Sequence, residues 1–356
     1  MLQINGRRMT LPVIQGGMGV GISLSRLAGA VAAEGAMGVL SSADIGYREA
    51  DFWQNPPAAN LRALAAEIAK ARELSRGKGL LGVNIMVATT QYAEAVKTAV
   101  KAGIDAIICG AGLPLDLPEL VADKQVLIAP IVSAAKAART ICRLWDRRYN
   151  RAPDFVVIEG SEAGGHLGFK RDDLLAGACP SLLQILPQVK EELAEYEQRH
   201  GRKIPVFVAG GIFDGDDVAK AMQAGADGVQ TATRFICTPE CDGSEAYKQI
   251  MLKAKAEDAA IVQSPVGMPG RALASPMLAE VSAAGRIAPK RCSKCITMCN
   301  PAETPYCITQ ALIAAAQGDW QHGLFFCGSN IGRMTKMQTV KEVLADLCGK
   351  LQNQPV

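Results

Sequence analysis

The chain alternates short, continuously apolar runs with longer stretches whose apolar residues recur every three or four positions. Eight such runs fall at residues 13–15, 37–40, 81–86, 106–109, 126–132, 155–158, 206–209 and 228–231. Continuous apolar character, rich in Val and Ile, suits strands buried on both faces. The stretches at 60–75, 90–102 and 214–224 carry the helical period. Lys101-Ala-Gly-Ile-Asp-Ala106 and Gln223-Ala-Gly-Ala-Asp-Gly228 repeat one phrase, in which a helix stops at glycine and a strand starts at once. Eight strand–helix units predict a (β/α)8 TIM barrel. A doubly wound open sheet is the alternative.

Residues 236–335 break this alternation. They hold a Pro/Gly-rich stretch, Gln263-Ser-Pro-Val-Gly-Met-Pro-Gly-Arg271, several helical patterns and four clustered cysteines. The expected organisation is a barrel from residues 1–235 and 336–356, with 236–335 as a mostly helical lid subdomain over one mouth. Residues 336–349 read as a closing amphipathic helix.

Composition narrows the function classes. With 38 basic against 35 acidic residues the net charge is +3, which gives no electrostatic footprint for nucleic acid or a membrane surface. No apolar run reaches membrane-spanning length, and the first nine residues lack the apolar core of a secretory signal. The expectation is a cytoplasmic protein with a small-molecule substrate.

Barrel enzymes keep their chemistry at the C-terminal strand ends. The first run is followed by Gly16, Gly17 and Met18, the third contains Asn84, and the sixth opens into Glu159-Gly-Ser-Glu-Ala-Gly-Gly-His166. The seventh ends at Gly210 and Gly211, the eighth at Gln230, Thr231 and Thr233. Glycines and hydroxyls after the last two strands suit a phosphate. A flavin mononucleotide (FMN) would place its phosphate there and its ring across the mouth, against Gly16–Met18 and within reach of Asn84. His166, one of three histidines, is the proton-transfer candidate because its pKa ordinarily lies near working pH. Glu159 and Glu162 would either orient it or face solvent. A phosphate-sugar isomerase or aldolase on the same barrel is disfavoured, since no lysine falls inside the eight runs.

Taken in order, Pro12-Val-Ile-Gln-Gly-Gly-Met-Gly19, Gly82-Val-Asn84, the 159–166 motif, Val208-Ala-Gly-Gly-Ile212 and Gly225-Ala-Asp-Gly-Val-Gln230 resemble the nitronate monooxygenase family. That family, formerly called 2-nitropropane dioxygenase, includes the FMN-dependent enoyl-acyl-carrier-protein reductase of the second type. The resemblance covers residues 1–240, and more faintly the tail Phe326-Cys-Gly-Ser-Asn-Ile-Gly332. It implies a TIM barrel, non-covalent FMN lined by Gly164 and Gly165 among others, and His166 at the catalytic position. It also implies phosphate contacts around Gly210, Gly211, Thr231 and Thr233. The substrate would be a nitronate or an acyl thioester, with NAD(P)H or another electron donor and a second copy of the chain as candidate partners.

Cys292, Cys295, Cys299 and Cys307 follow a C-x2-C-x3-C-x7-C spacing that the resemblance does not require. Four such thiols suit a [4Fe–4S] cluster, or zinc in its place. A three-cysteine [3Fe–4S] site and unligated thiols stay open. A cluster would favour reductase over oxygenase chemistry, or a flavin and iron–sulfur electron-transfer protein without its own small substrate. Arg147, Arg148 and Arg151 form a candidate basic patch for acyl carrier protein or coenzyme A, or a solvated helix end. Arg234 would meet phosphate or form an ion pair. His200, at a polar helix end, reads as inert, and His322 as part of a lid loop.

Overall fold

A computed structural model describes residues 2–351; residues 352–356, counted with the barrel above, lie outside the described part. The chain opens with an antiparallel hairpin, β1 (Leu2–Ile4) and β2 (Arg7–Met9). The strands β3 (Val13–Gln15), β4 (Met37–Ser41), β5 (Leu80–Met86), β6 (Ala106–Gly110), β7 (Leu127–Val132) and β8 (Val156–Glu159) follow. After the two-residue β9 (Gly165–His166) come β10 (Val206–Ala209) and β11 (Gly228–Thr231). All but β1, β2 and β9 form one closed parallel barrel, sealed by pairing of β11 with β3. All eight sequence runs are therefore barrel strands.

Two apolar layers explain why those runs are apolar at consecutive positions. Ile14, Met37, Val39, Ile108, Phe155, Val157 and Phe207 fill the barrel interior, the two phenylalanines meeting edge to face at 5.5 Å. The alternate residues, such as Val13, Leu40, Val83, Val156 and Val208, pack outward against the helices. Ile4 and Met9 of the opening hairpin join the inner layer and close the barrel's N-terminal end. Asp105 and Asp154 lie buried at that end. Asp105 receives Arg7 at 3.0 Å and Arg72 at 2.8 Å, and Asp154 receives Asn5, Arg151 and Arg202.

Helices sit close on the strands. A Cβ built on Gly38 would lie 1.9 Å from the Ala28 carbonyl oxygen in the helix Ser25–Ala33. Backbone cannot yield there as a side-chain tip would. Gly38→Ala is expected to cost about 1–3 kcal/mol or more by overpacking, read as a fall in thermal midpoint; an unchanged midpoint would show that the helix shifts freely.

The segment after β11 carries helices Glu245–Lys253, Pro276–Ala284 and Ile308–Gln317. It also contains a hairpin that the sequence reading did not include, β12 (Ala259–Gln263) and β13 (Pro269–Leu273). β13 pairs with β9, matching Gly270 to His166 and Arg271 to Gly165. The Pro/Gly-rich stretch is thus the turn and return strand of a ribbon laid on the histidine turn. A separate apolar cluster of Ala272, Met277, Ile296, Tyr306, Ile308, Ala311 and Leu324 holds this segment together. The expected closing helix runs Val340–Cys348, capped by Thr339 and Glu342. Among the described residues no helix is long and apolar enough to cross a membrane.

Candidate active site

The C-terminal strand ends surround a cavity of about 390 Å³. Its floor comes from Gly16, Gly17 and Met18 after β3, Ser41 of β4, Asn84 of β5, Glu159 of β8 and Gln230 of β11. Gly164, Gly165, His166 and Thr233 complete the barrel side, while Leu312, Leu324 and Phe326 cover it from the later segment. Nine of the twelve catalytic and cofactor positions expected from sequence therefore line one space.

The other three lie beside it. The Thr231 hydroxyl donates to the Ile212 carbonyl at 3.1 Å. Gly210 and Gly211 form a left-handed turn at φ +95° and +78°. A Cβ on Gly211 would meet a Glu162 carboxylate oxygen at 2.2 Å, so the turn is stacked under Glu162 rather than open to the cavity.

His166 is held from the hairpin. Its Nε2 lies 2.8 Å from the Ser264 hydroxyl, and its ring meets Phe326 edge to face at 5.1 Å. Neither Glu159 nor Glu162 bonds to it; of the two alternatives, Glu162 takes the solvent-facing one, while Glu159 lines the cavity. Burial pushes the imidazole pKa down to about 4. That corrects the expectation of titration near neutral pH: the ring is uncharged across the physiological range. Burial has the opposite sign for an acid and pushes Glu159 up to about 8.

Two positioning residues, Ser264 and Arg271, were not visible in the sequence. Ser264 orients His166. The Arg271 guanidinium donates to the Ser161 and Ala163 carbonyls, both at 2.7 Å, and so fixes the turn between Glu159 and His166. The tail folds back, with Gly328 N–H donating to the Thr233 hydroxyl at 2.9 Å and Ser329 N–H to the Glu162 carbonyl at 3.1 Å. Only the tail gave a signal, through its glycines. Ser264 and Arg271 depend on a strand pairing that joins residues about a hundred positions apart.

The clustered cysteines do not form a ligand set. Among the described residues no group of three or more His, Cys, Asp and Glu side chains is placed to hold a metal ion. The reading of Cys292, Cys295, Cys299 and Cys307 as iron–sulfur or zinc ligands thus has no geometric support. Instead the segment clamps onto the loop after β5. Thr90 N–H donates to the Cys295 carbonyl at 3.1 Å, Thr297 N–H to the Ala88 carbonyl at 3.1 Å, and Thr89 pairs with Ile296. The Cys295 thiol accepts from Thr309 at 3.1 Å and is pushed up to about 11 by burial, which keeps it protonated.

Of the basic patch, Arg147 and Arg148 sit at a helix end. Arg151 is buried, donating to the Val121 and Val126 carbonyls and paired with Asp154, so it is unavailable to a partner. Arg234 pairs with Asp346 at 2.8 Å and stacks on Phe213, which settles it as an ion pair. His200 bonds to Asp146 and His322 to Asp319, away from the cavity.

A closed parallel barrel with its cavity at the C-terminal strand ends is the build of a (β/α)8 enzyme. The family model described as nitronate monooxygenase matches residues 4–350, so the chain belongs to the nitronate monooxygenase family. A probable nitronate monooxygenase of Bacillus subtilis is 24% identical, covering 96% of both chains. A Mycobacterium tuberculosis protein named (3aS,4S,5R,7aS)-5-hydroxy-7a-methyl-1-oxo-octahydro-1H-indene-4-carboxyl-CoA dehydrogenase is 28% identical over 77% of this chain. The match spans only 66% of that relative's length. Among solved structures, FabK from Thermotoga maritima superposes with TM-score 0.74 at 24% identity, covering 97% of this chain and 93% of that one. A nitroalkane oxidase from Streptomyces ansochromogenes gives 0.71 at 21% identity, covering 97% of each. At these identities the superpositions establish the fold.

Proposed function

We propose that this protein is an FMN-dependent oxidoreductase that acts on a small carbon acid, an alkyl nitronate or an enoyl-type acyl thioester, held between the cofactor and His166. The carrying observation is one cavity lined by Asn84, Glu159 and Gln230 and by an uncharged His166 held by Ser264. Ser329 supplies a second sign of fit: its hydroxyl is buried without a partner next to the Thr233–Gly328 contact. An unpartnered buried hydroxyl is costly and marks a place for a ligand acceptor such as phosphate. Thr233, Gly164 and Ser329 would hold the phosphate, with Gly210, Gly211 and Thr231 shaping the wall behind them. Gly16, Gly17 and Met18 would lie along the ring, with Asn84 and Gln230 on its polar edge.

Bound FMN supplies the two-electron chemistry. The protein's own residues bind, orient and move a proton. His166, neutral because it is buried, can accept a proton from an acidic carbon or hydrogen-bond to the oxygen that carries the developing charge. Ser264 keeps the ring from rotating away. Leu312, Leu324 and Phe326 exclude water. Residues 236–335 form the covering unit in this reading. The cysteine cluster enters no step.

The test is an anaerobic absorbance spectrum of the purified protein, with iron and sulfide assay, followed by substrate addition. Flavin bands that bleach with an alkyl nitronate, or recover when an enoyl thioester is added to the reduced protein, are the expected result. Absence of flavin would refute the proposal; flavin that no such substrate bleaches or reoxidises would point to an electron-transfer protein. In this reading the cysteines hold no iron, and about four irons per chain would restore the cubane cluster.

A further inference from the structure

Packing divides the four cysteines of the covering segment into two pairs. Cys295 and Cys299 pack against its apolar cluster. Cys295 is tied down further by Thr309 and, through its carbonyl, by Thr90. Cys292 and Cys307 lie outside that cluster, Cys292 exposed and Cys307 half-buried.

Two contacts bring Cys292 towards Cys307. Cys307 heads the ten-residue helix Ile308–Gln317, and the first turn of that helix holds the residues on either side of Cys292. The Arg291 carbonyl accepts from the Gln310 side-chain amide at 2.7 Å, and the Ser293 hydroxyl lies 3.2 Å from that of Thr309. The Gln310 side chain also bonds to the Cys307 sulfur. One amide therefore touches both the backbone beside Cys292 and the Cys307 thiol, which places the Cys292 nitrogen within roughly 9 Å of that sulfur. A disulfide needs its two Cα atoms about 5.5–6 Å apart. Residues 285–307 carry no helix or strand beyond the bridge of Ile296 to Thr89, so the stretch around Cys292 is free to close the remaining few ångströms. From 281 to 302 the chain has Arg286, Lys290, Arg291 and Lys294 and no acidic residue. Positive charge there favours the negative charge that builds on an oxygen leaving sulfur.

We infer that Cys292 and Cys307 are a peroxide-responsive thiol pair that closes a reversible disulfide and staples the cover of the cavity. The exposed Cys292 sulfur takes one oxygen from hydrogen peroxide, giving a sulfenic acid and one water. The Cys307 sulfur then displaces that oxygen. The S–O bond breaks, the S–S bond forms, and the second water leaves with the Cys307 proton. Two thiols lose two electrons and one peroxide becomes two waters; a dithiol reductant reverses the change. The bond closes residues 292–307 onto the start of the helix that presents Leu312 and Ala315 to the cavity. That helix is already held to the loop after β4, where Thr309 donates to Asp44 at 2.6 Å. The pair takes no part in the flavin chemistry proposed above, so it stands or falls separately.

The test is treatment of the reduced, full-length protein with one equivalent of hydrogen peroxide, followed by thiol counting in denaturant and mass-spectrometric mapping. The count is expected to fall from all eleven cysteines by two, with Cys292 joined to Cys307, and to return with dithiothreitol. Cys307→Ser cannot resolve the sulfenic acid, so dimedone should label Cys292 in that variant alone. Cys292→Ser should keep all of its thiols under the same treatment. Closing a loop of this length should also raise the thermal midpoint of the oxidised protein by about 3 °C or more. Retention of all eleven thiols, a bond mapped to Cys295 or Cys299, loss of two thiols in Cys292→Ser, or an unchanged midpoint would overturn the inference. So would stoichiometric metal on these thiols in the protein as isolated.

Discussion

Replacing His166 by alanine is expected to lower kcat by roughly 10²–10⁴-fold, the range for loss of a positioned acid–base group, while FMN remains bound. Ser264 and Phe326 hold the ring, and the cofactor floor lies across the cavity, so the substitution removes a reacting group without dismantling the site. The pH behaviour separates this role from a generic histidine. Because burial lowers the folded-state pKa to about 4, kcat/KM should show no limb from His166 between pH 5 and 8. A limb near 6.5 that disappears in His166→Ala would show that the ring is not shielded. Stability gives an independent reading. The unfolded histidine takes up its proton below about 6.5 and the folded one only below about 4. Between those values the unfolded state binds more protons, so the wild type loses stability as pH falls through that window. His166→Gln should lose less, and thermal midpoints measured from pH 7 down to 4 should diverge accordingly.

Asp154→Ala is expected to be the most damaging substitution outside the cavity. Asp154 is 1% exposed and collects the Asn5 amide at 2.8 Å, the Ile128 N–H at 2.8 Å, Arg202 at 3.2 Å and Arg151 at 3.4 Å. Removing it leaves a buried and a half-buried guanidinium without their counter-charge and a strand N–H without an acceptor. Breaking a buried ion pair from one side costs about 3–5 kcal/mol, which lowers the thermal midpoint by roughly 5 °C or more at this chain length. Asp154→Asn can retain the Ile128 bond and should lose less. Since the network lies at the N-terminal end of the barrel, kcat at 25 °C should stay within about twofold while the fold persists, as the fold's division between stability and catalytic faces implies. A midpoint within 1 °C of wild type would show that the arginines find other acceptors.

What the sequence determined is what depends on short-range pattern. Strands buried on both faces must be apolar at consecutive positions, and Val13, Val83, Val156 and Val206 show this without any knowledge of their neighbours. The glycine phrases that stop a helix and start a strand set the alternation, and eight parallel strands of such units close on themselves. The same logic put Gly16, Asn84, His166 and Gln230 on one face, because every parallel strand delivers its C-terminal end to the same mouth.

Tertiary structure decided what depends on partners far apart in the chain. Ser264 reaches His166 only because β13 pairs with β9, and a single-strand pattern carries no information about that register. The spacing of Cys292, Cys295, Cys299 and Cys307 suggested a cluster. Bridging Ile296 to Thr89 instead spends that segment on clamping the loop after β5. Charge state was likewise invisible. His166 and Glu159 are ordinary titrating residues in the sequence, and it is their removal from water at the cavity wall that pushes one down to about 4 and the other up to about 8. Desolvation is a property of the surrounding atoms, supplied here by segments up to about 160 residues away, so it could be read only once the chain was folded around them.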